Sequence, residues 1–282
     1  MSGPHTHMPI ALTIAGSDSG GGAGIQADLK TFASLGVFGT SAITAITAQN
    51  PAGVSAIQGI DAPVVAAQIA AVMDYFPVGA VKIGMLFSGE IISAVAEALG
   101  PRLTPRDGER IPLVVDPVMV ATSGAKLLND DAIGALQEKV LPLASLLTPN
   151  MDEAALLAGM AVEREADLEP AALAIRQRYG VPVLVKGGHL KGAERAVDVL
   201  WDGRDWRRFD APFLQRVNTH GTGCTLSSAI AVFLMRGHGQ GLAAAVGAAK
   251  NYLQQALAHS LPDGRGTALN HGVSPLPLQA VK

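Results

Sequence analysis

Thr219-His220-Gly221-Thr222-Gly223-Cys224 runs straight into an apolar helical stretch over residues 226–235. Two glycines at a loop-to-helix junction let backbone N–H groups converge on one point, and the helix adds partial positive charge there. Such a point suits an anion. Cys224, the chain's one cysteine, stands at that focus. Poised amides beside one nucleophile-sized polar side chain point to transfer of a phosphoryl group. A helix N-terminus lowers a thiol's pKa from about 8.5, so Cys224 is expected to be partly thiolate. The plainer alternative is a small packed hydrophobe.

Other polar groups close apolar runs along the chain. Residues 11–15 lead into Gly16-Ser17-Asp18-Ser19-Gly20-Gly21-Gly22-Ala23-Gly24. Later runs end in Ala48-Gln49-Asn50, Lys82-Ile83-Gly84-Met85 and Asp116-Pro117-Val118-Met119. Two more end in Thr148-Pro149-Asn150, with Glu153 beyond it, and Lys186-Gly187-Gly188-His189. Ligands of an open α/β sheet bind beyond the carboxyl ends of the strands, so these termini together define a pocket. Asp116 before proline can simply close a strand. With Asn150 and Glu153 it can also organise Mg²⁺, which takes a few oxygen ligands plus waters and phosphate. Lys186 is either a snorkelling surface lysine or a partner for phosphate charge. His189 and His220 read as loop histidines, since no spacing pairs them as metal ligands. The first glycine loop loosely matches a dinucleotide fingerprint. However, Gln49 and Asn50 stand where the acid about 20 residues on is due, which disfavours a nicotinamide oxidoreductase. No Gly-Lys-Ser or Gly-Lys-Thr occurs, so residues 219–224 are the better phosphate cradle.

The elements that must carry these groups alternate. Strands are expected over 11–15, 41–47, 80–84, 112–116, 145–148 and 181–186. Helices are expected over 25–35, 63–75, 90–99, 130–140, 152–158, 170–179, 226–235 and 242–257. The strands are solidly apolar, the mark of a parallel sheet covered on both faces, and helical connections imply right-handed crossovers. Residues 196–212 alternate around Asp202-Gly203, a hairpin pattern.

At 282 residues and 49% hydrophobic content the chain can bury a substantial core. A net charge of −3 with scattered Lys and Arg disfavours nucleic acid or an anionic membrane as partner. One cysteine excludes an internal disulfide and a Cys-based zinc site, and fits a reducing cytoplasm. No run approaches the roughly 20 apolar residues that span a bilayer, and no signal-peptide pattern opens the chain. Residues 1–9 read as a disordered start or a cloning remnant, and 10–282 as one domain.

Taken in order, these motifs, with Ile25-Gln26-Ala27-Asp28-Leu29-Lys30-Thr31, resemble the hydroxymethylpyrimidine/phosphomethylpyrimidine kinases of thiamine biosynthesis, within the ribokinase-like superfamily. The likeness spans essentially the whole chain. Cysteine at position 224, where many sugar kinases carry aspartate, marks the pyrimidine and some pyridoxal kinases. The resemblance implies a three-layer α/β/α sandwich with a mostly parallel central sheet, and commonly a homodimer. It implies two ATP- and Mg²⁺-dependent steps on 4-amino-5-hydroxymethyl-2-methylpyrimidine, first to the monophosphate and then to the diphosphate. Carried over by motif, Gln49 bonds the aminopyrimidine edge, Asp28 lies nearby, Gly16 opens the covering loop, and Met85 with Val118 packs the ring. Gly221 and Gly223 would donate amides to the transferring phosphoryl group, with Cys224 as general base. Asp116 and Glu153 would serve Mg²⁺; Lys186, Asn150, Thr219 and Thr222 would serve the nucleotide. Relatives often carry lysine where this chain has Val217; Arg216 could supply the missing charge. Pyridoxal kinase of the cysteine type is the near alternative, and a non-catalytic pyrimidine-binding protein the distant one.

Overall fold

A computed structural model describes residues 8–104, 109–119, 128, 130–188, 195–214, 217–237, 241–273 and 275. Most of the expected N-terminal tail, with His189 and Arg216, lies outside the described residues.

The chain runs β1 (Ile10–Asp18), α1 (Gly24–Ser34), β2 (Phe38–Asn50), β3 (Gly53–Gly59), α2 (Ala62–Met73), β4 (Val78–Ile83), α3 (Gly89–Leu99) and β5 (Leu113–Val115). It continues through α4 (Asp130–Ala135), β6 (Leu146–Leu147), α5 (Met151–Ala158), α6 (Leu168–Tyr179), β7 (Val183–Lys186), β8 (Arg195–Trp201) and β9 (Trp206–Pro212). It closes with α7 (Thr222–Arg236), α8 (Leu242–Ala258) and the short pair β10 (Leu261–Pro262) and β11 (Thr267–Ala268).

Nine strands form one sheet in the order β3-β2-β1-β4-β5-β6-β7-β8-β9. Six neighbouring strands, β2, β1, β4, β5, β6 and β7, are parallel; the single antiparallel strand β3 edges one side and the antiparallel hairpin β8–β9 the other. Successive side chains of a strand point to opposite faces, so a strand covered on both sides must be apolar throughout. In β5, Leu113 and Val115 join the core beneath α2, α3, α5 and α6, whereas Val114 joins the core beneath α1, α7 and α8. The three-layer α/β/α architecture expected from the sequence is the one observed.

Two local outcomes differ from expectation. The second strand extends to Asn50 and turns back as β3, an edge strand whose half-exposed residues lack a clear apolar alternation. The expected helix over 130–140 is α-helical only to Ala135 and continues as a π turn (Leu136–Val140). Gly134 and the following Pro142 weaken α-helical pairing there.

Chain order places the switch of direction between β1 and β4, where ligands of open sheets bind. A register shift between Ala15 and Ser17 brackets Gly16 at that point.

Candidate active site

The first glycine loop is built around Asp18. Its carboxylate accepts hydrogen bonds from the backbone N–H groups of Gly20 (2.8 Å), Gly22 (3.1 Å) and Ala23 (2.8 Å). Burial alone would raise this carboxyl. Hydrogen bonds from His220 and from the Ala23 and Gly20 amides outweigh burial and hold it below the usual range. Met85 covers Gly16 so closely that a Cβ on the glycine would lie 2.6 Å from the methionine methyl. Thr47 Oγ1 donates to Gln49 Oε1 (3.1 Å), and Ser19 and Gln49 exchange hydrogen bonds through Ser19 Oγ. Gln49 and Ser19 border a shallow, open depression with Asn50, Val54 and Ser55. Gly16, Met85 and Gln49 are thus gathered at the ends of β1, β4 and β2. Val118 stands half-buried two residues past Asp116, in the turn after β5.

Asp28 has a different setting. It is fully buried, and its two oxygens meet Lys82 Nζ at 2.8 Å each, Thr13 Oγ1 at 2.6 Å and Ser228 Oγ at 2.7 Å. This network ties α1, β1, β4 and α7 beneath the pocket. Lys82, given no role in the sequence reading, is its cation. Burial would depress the Lys82 ammonium, but Asp28, with Cys224 and Asp116 farther off, holds it above its ordinary value. A lysine inside an otherwise apolar strand was the available signal. Removing one partner of a fully buried pair strands the other charge, which costs about 3–5 kcal/mol. Lys82→Met is therefore expected to lose that much in urea unfolding; a loss under 1 kcal/mol would rule out an ionised pair.

At the second glycine loop, α7 is capped by Gly221, whose φ of 84° lies in the left-handed region. A Cβ there would sit 1.8 Å from the Gly22 carbonyl oxygen, so only glycine fits. Thr222 N–H turns back to the exposed Thr219 carbonyl (3.2 Å). The amides of Gly221, Gly223 and Cys224 meet no acceptor among the described residues. A Cβ on Gly223 would lie 3.2 Å from Lys186 Nζ and 3.3 Å from Asp116 Oδ2. Gly223 thus lies beside an ion pair, Lys186 Nζ to Asp116 Oδ1 at 2.6 Å, steadied by Thr148 Oγ1 at 3.2 Å. For Lys186, burial is outweighed by Asp116 and Glu153, and its ammonium is held above the ordinary value.

Glu153 and Asn150 form a capping box on α5. Asn150 N–H donates to Glu153 Oε2 (2.8 Å), and Glu153 N–H donates to Asn150 Oδ1 (2.9 Å). The Asn150 side-chain oxygen is thus committed to the helix. Burial pushes Glu153 up to about 8, with Lys186 opposing and Asp116 adding to the rise. The folded protein favours protonated Glu153, so its stabilising effect is whole below the ordinary value near 4.5 and is lost as pH climbs through 8. Glu153→Gln keeps the box but not the charge. In metal-free buffer its Tm should match the parent at pH 4.5 and exceed it by several degrees at pH 9. The same offset at both pH values would contradict this. Asp116 supplies hard carboxylate oxygens, and Glu153 would add its own once a bound cation displaced its proton, a donor set that fits Mg²⁺ retaining waters and phosphate. Among the described residues, no group of three or more His, Cys, Asp or Glu forms a closed metal site.

Cys224 corrects the thiolate expectation. Burial raises the thiol to about 11, with Asp28 and Asp116 adding to the rise; Lys82 and the Gly24 amide only partly oppose it. The helix terminus brings about half a positive charge, too little against desolvation and two carboxylates. In the free protein at neutral pH the sulfur carries its proton.

The model of the family described as phosphomethylpyrimidine kinase matches residues 18–271. A hydroxymethylpyrimidine/phosphomethylpyrimidine kinase of Rhizobium meliloti (strain 1021) is 53% identical over 93% of this chain and 96% of its own length. Its counterpart in Synechococcus elongatus is 48% identical over 92% of this chain and 95% of its own. Among solved structures, the phosphomethylpyrimidine kinase of Clostridium difficile 630 has a TM-score of 0.75 at 42% identity, covering 88% and 99% of the two chains. Bacillus subtilis pyridoxal kinase in an ADP complex has a TM-score of 0.83 at 36% identity, covering 94% and 98%. The three-layer α/β/α fold is thus shared with these kinases, and this chain belongs to the phosphomethylpyrimidine kinase family.

Proposed function

We propose that this chain is an ATP-dependent kinase in thiamine diphosphate biosynthesis. It phosphorylates the hydroxymethyl group of 4-amino-5-hydroxymethyl-2-methylpyrimidine and then converts that monophosphate to the diphosphate. The observation that carries this reading is the start of α7, where the amides of Gly221, Gly223 and Cys224 meet no acceptor among the described residues and Gly223 lies beside the Lys186–Asp116 pair. The family relatives support the substrate class.

Phosphoryl transfer is mostly alignment and charge stabilisation. The acceptor oxygen forms its bond to the γ-phosphorus as the bond to the β,γ-bridging oxygen breaks, and ADP leaves. Amides of Gly221 and Gly223 stabilise the equatorial oxygens, and Lys186 the nucleotide phosphates, with Asn150, Thr219 and Thr222 at the nucleotide's edge. Gln49 orients the aminopyrimidine, and Met85 with Val118 packs its ring. Bound by Asp116 and Glu153, Mg²⁺ would neutralise phosphate charge. Cys224 sulfur takes the alcohol's proton, acting from its thiolate form, which burial makes scarce but strongly basic.

The cytoplasm, where ATP and a free thiol coexist, suits this chemistry. No helix among the described residues is long and apolar enough to cross a membrane. One domain over 10–282 accords with a single sheet drawing strands from Ile10 to Pro212. A homodimer is supported by composition: between Phe38 and Met73 the one charged residue is Asp61, though this span carries edge strand β3 and the exposed Ile46 and Val64. Sedimentation showing a monomer at micromolar concentrations would contradict the dimer.

Incubation with MgATP and the pyrimidine alcohol should yield monophosphate and then diphosphate by mass. Unconsumed ATP would overturn the assignment. The likeness to Bacillus subtilis pyridoxal kinase supports a second reading, activity on pyridoxal, and relative kcat/KM on the two alcohols separates them.

A further inference from the structure

The two glycine loops are some 200 residues apart in sequence, yet they meet at two points. The Gly22 carbonyl presses against Gly221, leaving no space for a Cβ. The other is a side-chain tie, with His220 Nε2 lying 2.9 Å from Asp18 Oδ2. Asp18 is the same carboxylate that gathers the amides of Gly20, Gly22 and Ala23. An ionised carboxylate only accepts, so the shared proton sits on Nε2. Both side chains are largely enclosed, His220 at 11% exposure and Asp18 at 2%. From behind, His220 N–H donates to Asn218 Oδ1 (2.9 Å), and Asn218 N–H donates to Thr267 Oγ1 (3.0 Å). His220 is thus held on both sides, and no substrate contact proposed above uses it.

We infer that the Asp18–His220 tie makes His220 a positioning residue, fixing the loop that covers the pyrimidine to the loop that cradles the phosphoryl group. The inference rests on the kinase reading. Contact between Gly22 and Gly221 stops the loops from approaching further, but repulsion cannot stop them from parting. The hydrogen bond supplies the attractive half. Reacting atoms must be held at roughly 3–3.5 Å, and a displacement of about 1 Å costs on the order of 10²-fold in rate. The Asp28–Ser228 bond joins α1 to α7 deeper in the fold, so the Asp18–His220 tie is what holds the loop tips themselves to that tolerance.

Two tie-breaking variants, His220→Ala and His220→Asn (too short to reach Asp18), are compared with His220→Gln, whose amide N–H₂ reaches about as far as Nε2. Turnover of the pyrimidine alcohol, its calorimetric dissociation constant without nucleotide, and Tm are measured on the full chain. Alanine and asparagine should lower kcat about 10- to 100-fold while the dissociation constant stays within about threefold, and glutamine should restore most of the rate. Unchanged kcat in both tie-breaking variants would overturn the inference. So would an equal fall in all three, or a rate loss matched by weaker pyrimidine binding. Absence of turnover in the unsubstituted enzyme would instead overturn the kinase reading, and this inference with it.

Discussion

Gly223→Val is expected to lower kcat by about 10²–10³-fold while leaving pyrimidine binding within a few-fold of the parent. The N–H of residue 223 remains, but a branched side chain that keeps the phosphoryl group away from it has the effect of removing one donor from a preorganised anion site, which costs that much in other enzymes. Here the added side chain would enter the space 3.2–3.3 Å from Lys186 Nζ and Asp116 Oδ2, displacing the phosphoryl group and parting its two charged neighbours. Gly16, Met85 and Gln49, the residues proposed to hold the pyrimidine, lie on other elements and are not among the atoms that a Cβ on Gly223 would meet. Calorimetry of the alcohol beside steady-state turnover decides the matter. A valine enzyme that binds pyrimidine tenfold more weakly, with kcat intact, would move the phosphoryl site away from residue 223.

Cys224→Ala should slow phosphorylation of the alcohol by about 10²-fold or more and the second phosphorylation by much less. General-base catalysis is worth about 10²–10⁴-fold where a proton must leave. The alcohol must shed one, but a phosphate monoester, with a second pKa of about 6, is already anionic at neutral pH. The raised thiol adds a pH signature. Its basic form is the thiolate, and its pKa is about 11, so the alcohol reaction should accelerate as pH rises from 7 to 9. The monophosphate reaction should stay nearly flat over that range, and alanine should abolish the slope of the first. Rate–pH profiles on both acceptors test this. Equal losses in the two steps, or a slope that survives in Cys224→Ala, would remove the cysteine from proton transfer.

Much of this site was legible in the chain because backbone demands are local. A residue at φ 84° pressed against a carbonyl must be glycine, and Gly221 announced that loop. Solid apolar runs such as residues 113–115 announced strands covered on both faces. The Asn150-x-x-Glu153 spacing was likewise a readable cap, though its acid was taken for a metal ligand alone. Other features are sums over distant elements. Asp28 looked like a pocket residue, yet β1, β4 and α7 close over it and Lys82 neutralises it. Asp18 and His220, read separately as a loop acid and a loop histidine, become one contact only when the sheet brings β1 beside α7.

Residue order alone determined which backbone conformations were permitted, which strands would be sheathed in helices, and which family this chain joins. Tertiary structure decided protonation and pairing, reversing the expected sign at Cys224 and raising Glu153. The physical reason is that conformational preference belongs to a residue and its neighbours. A charge's stability depends instead on water excluded and partners delivered by segments far away in sequence.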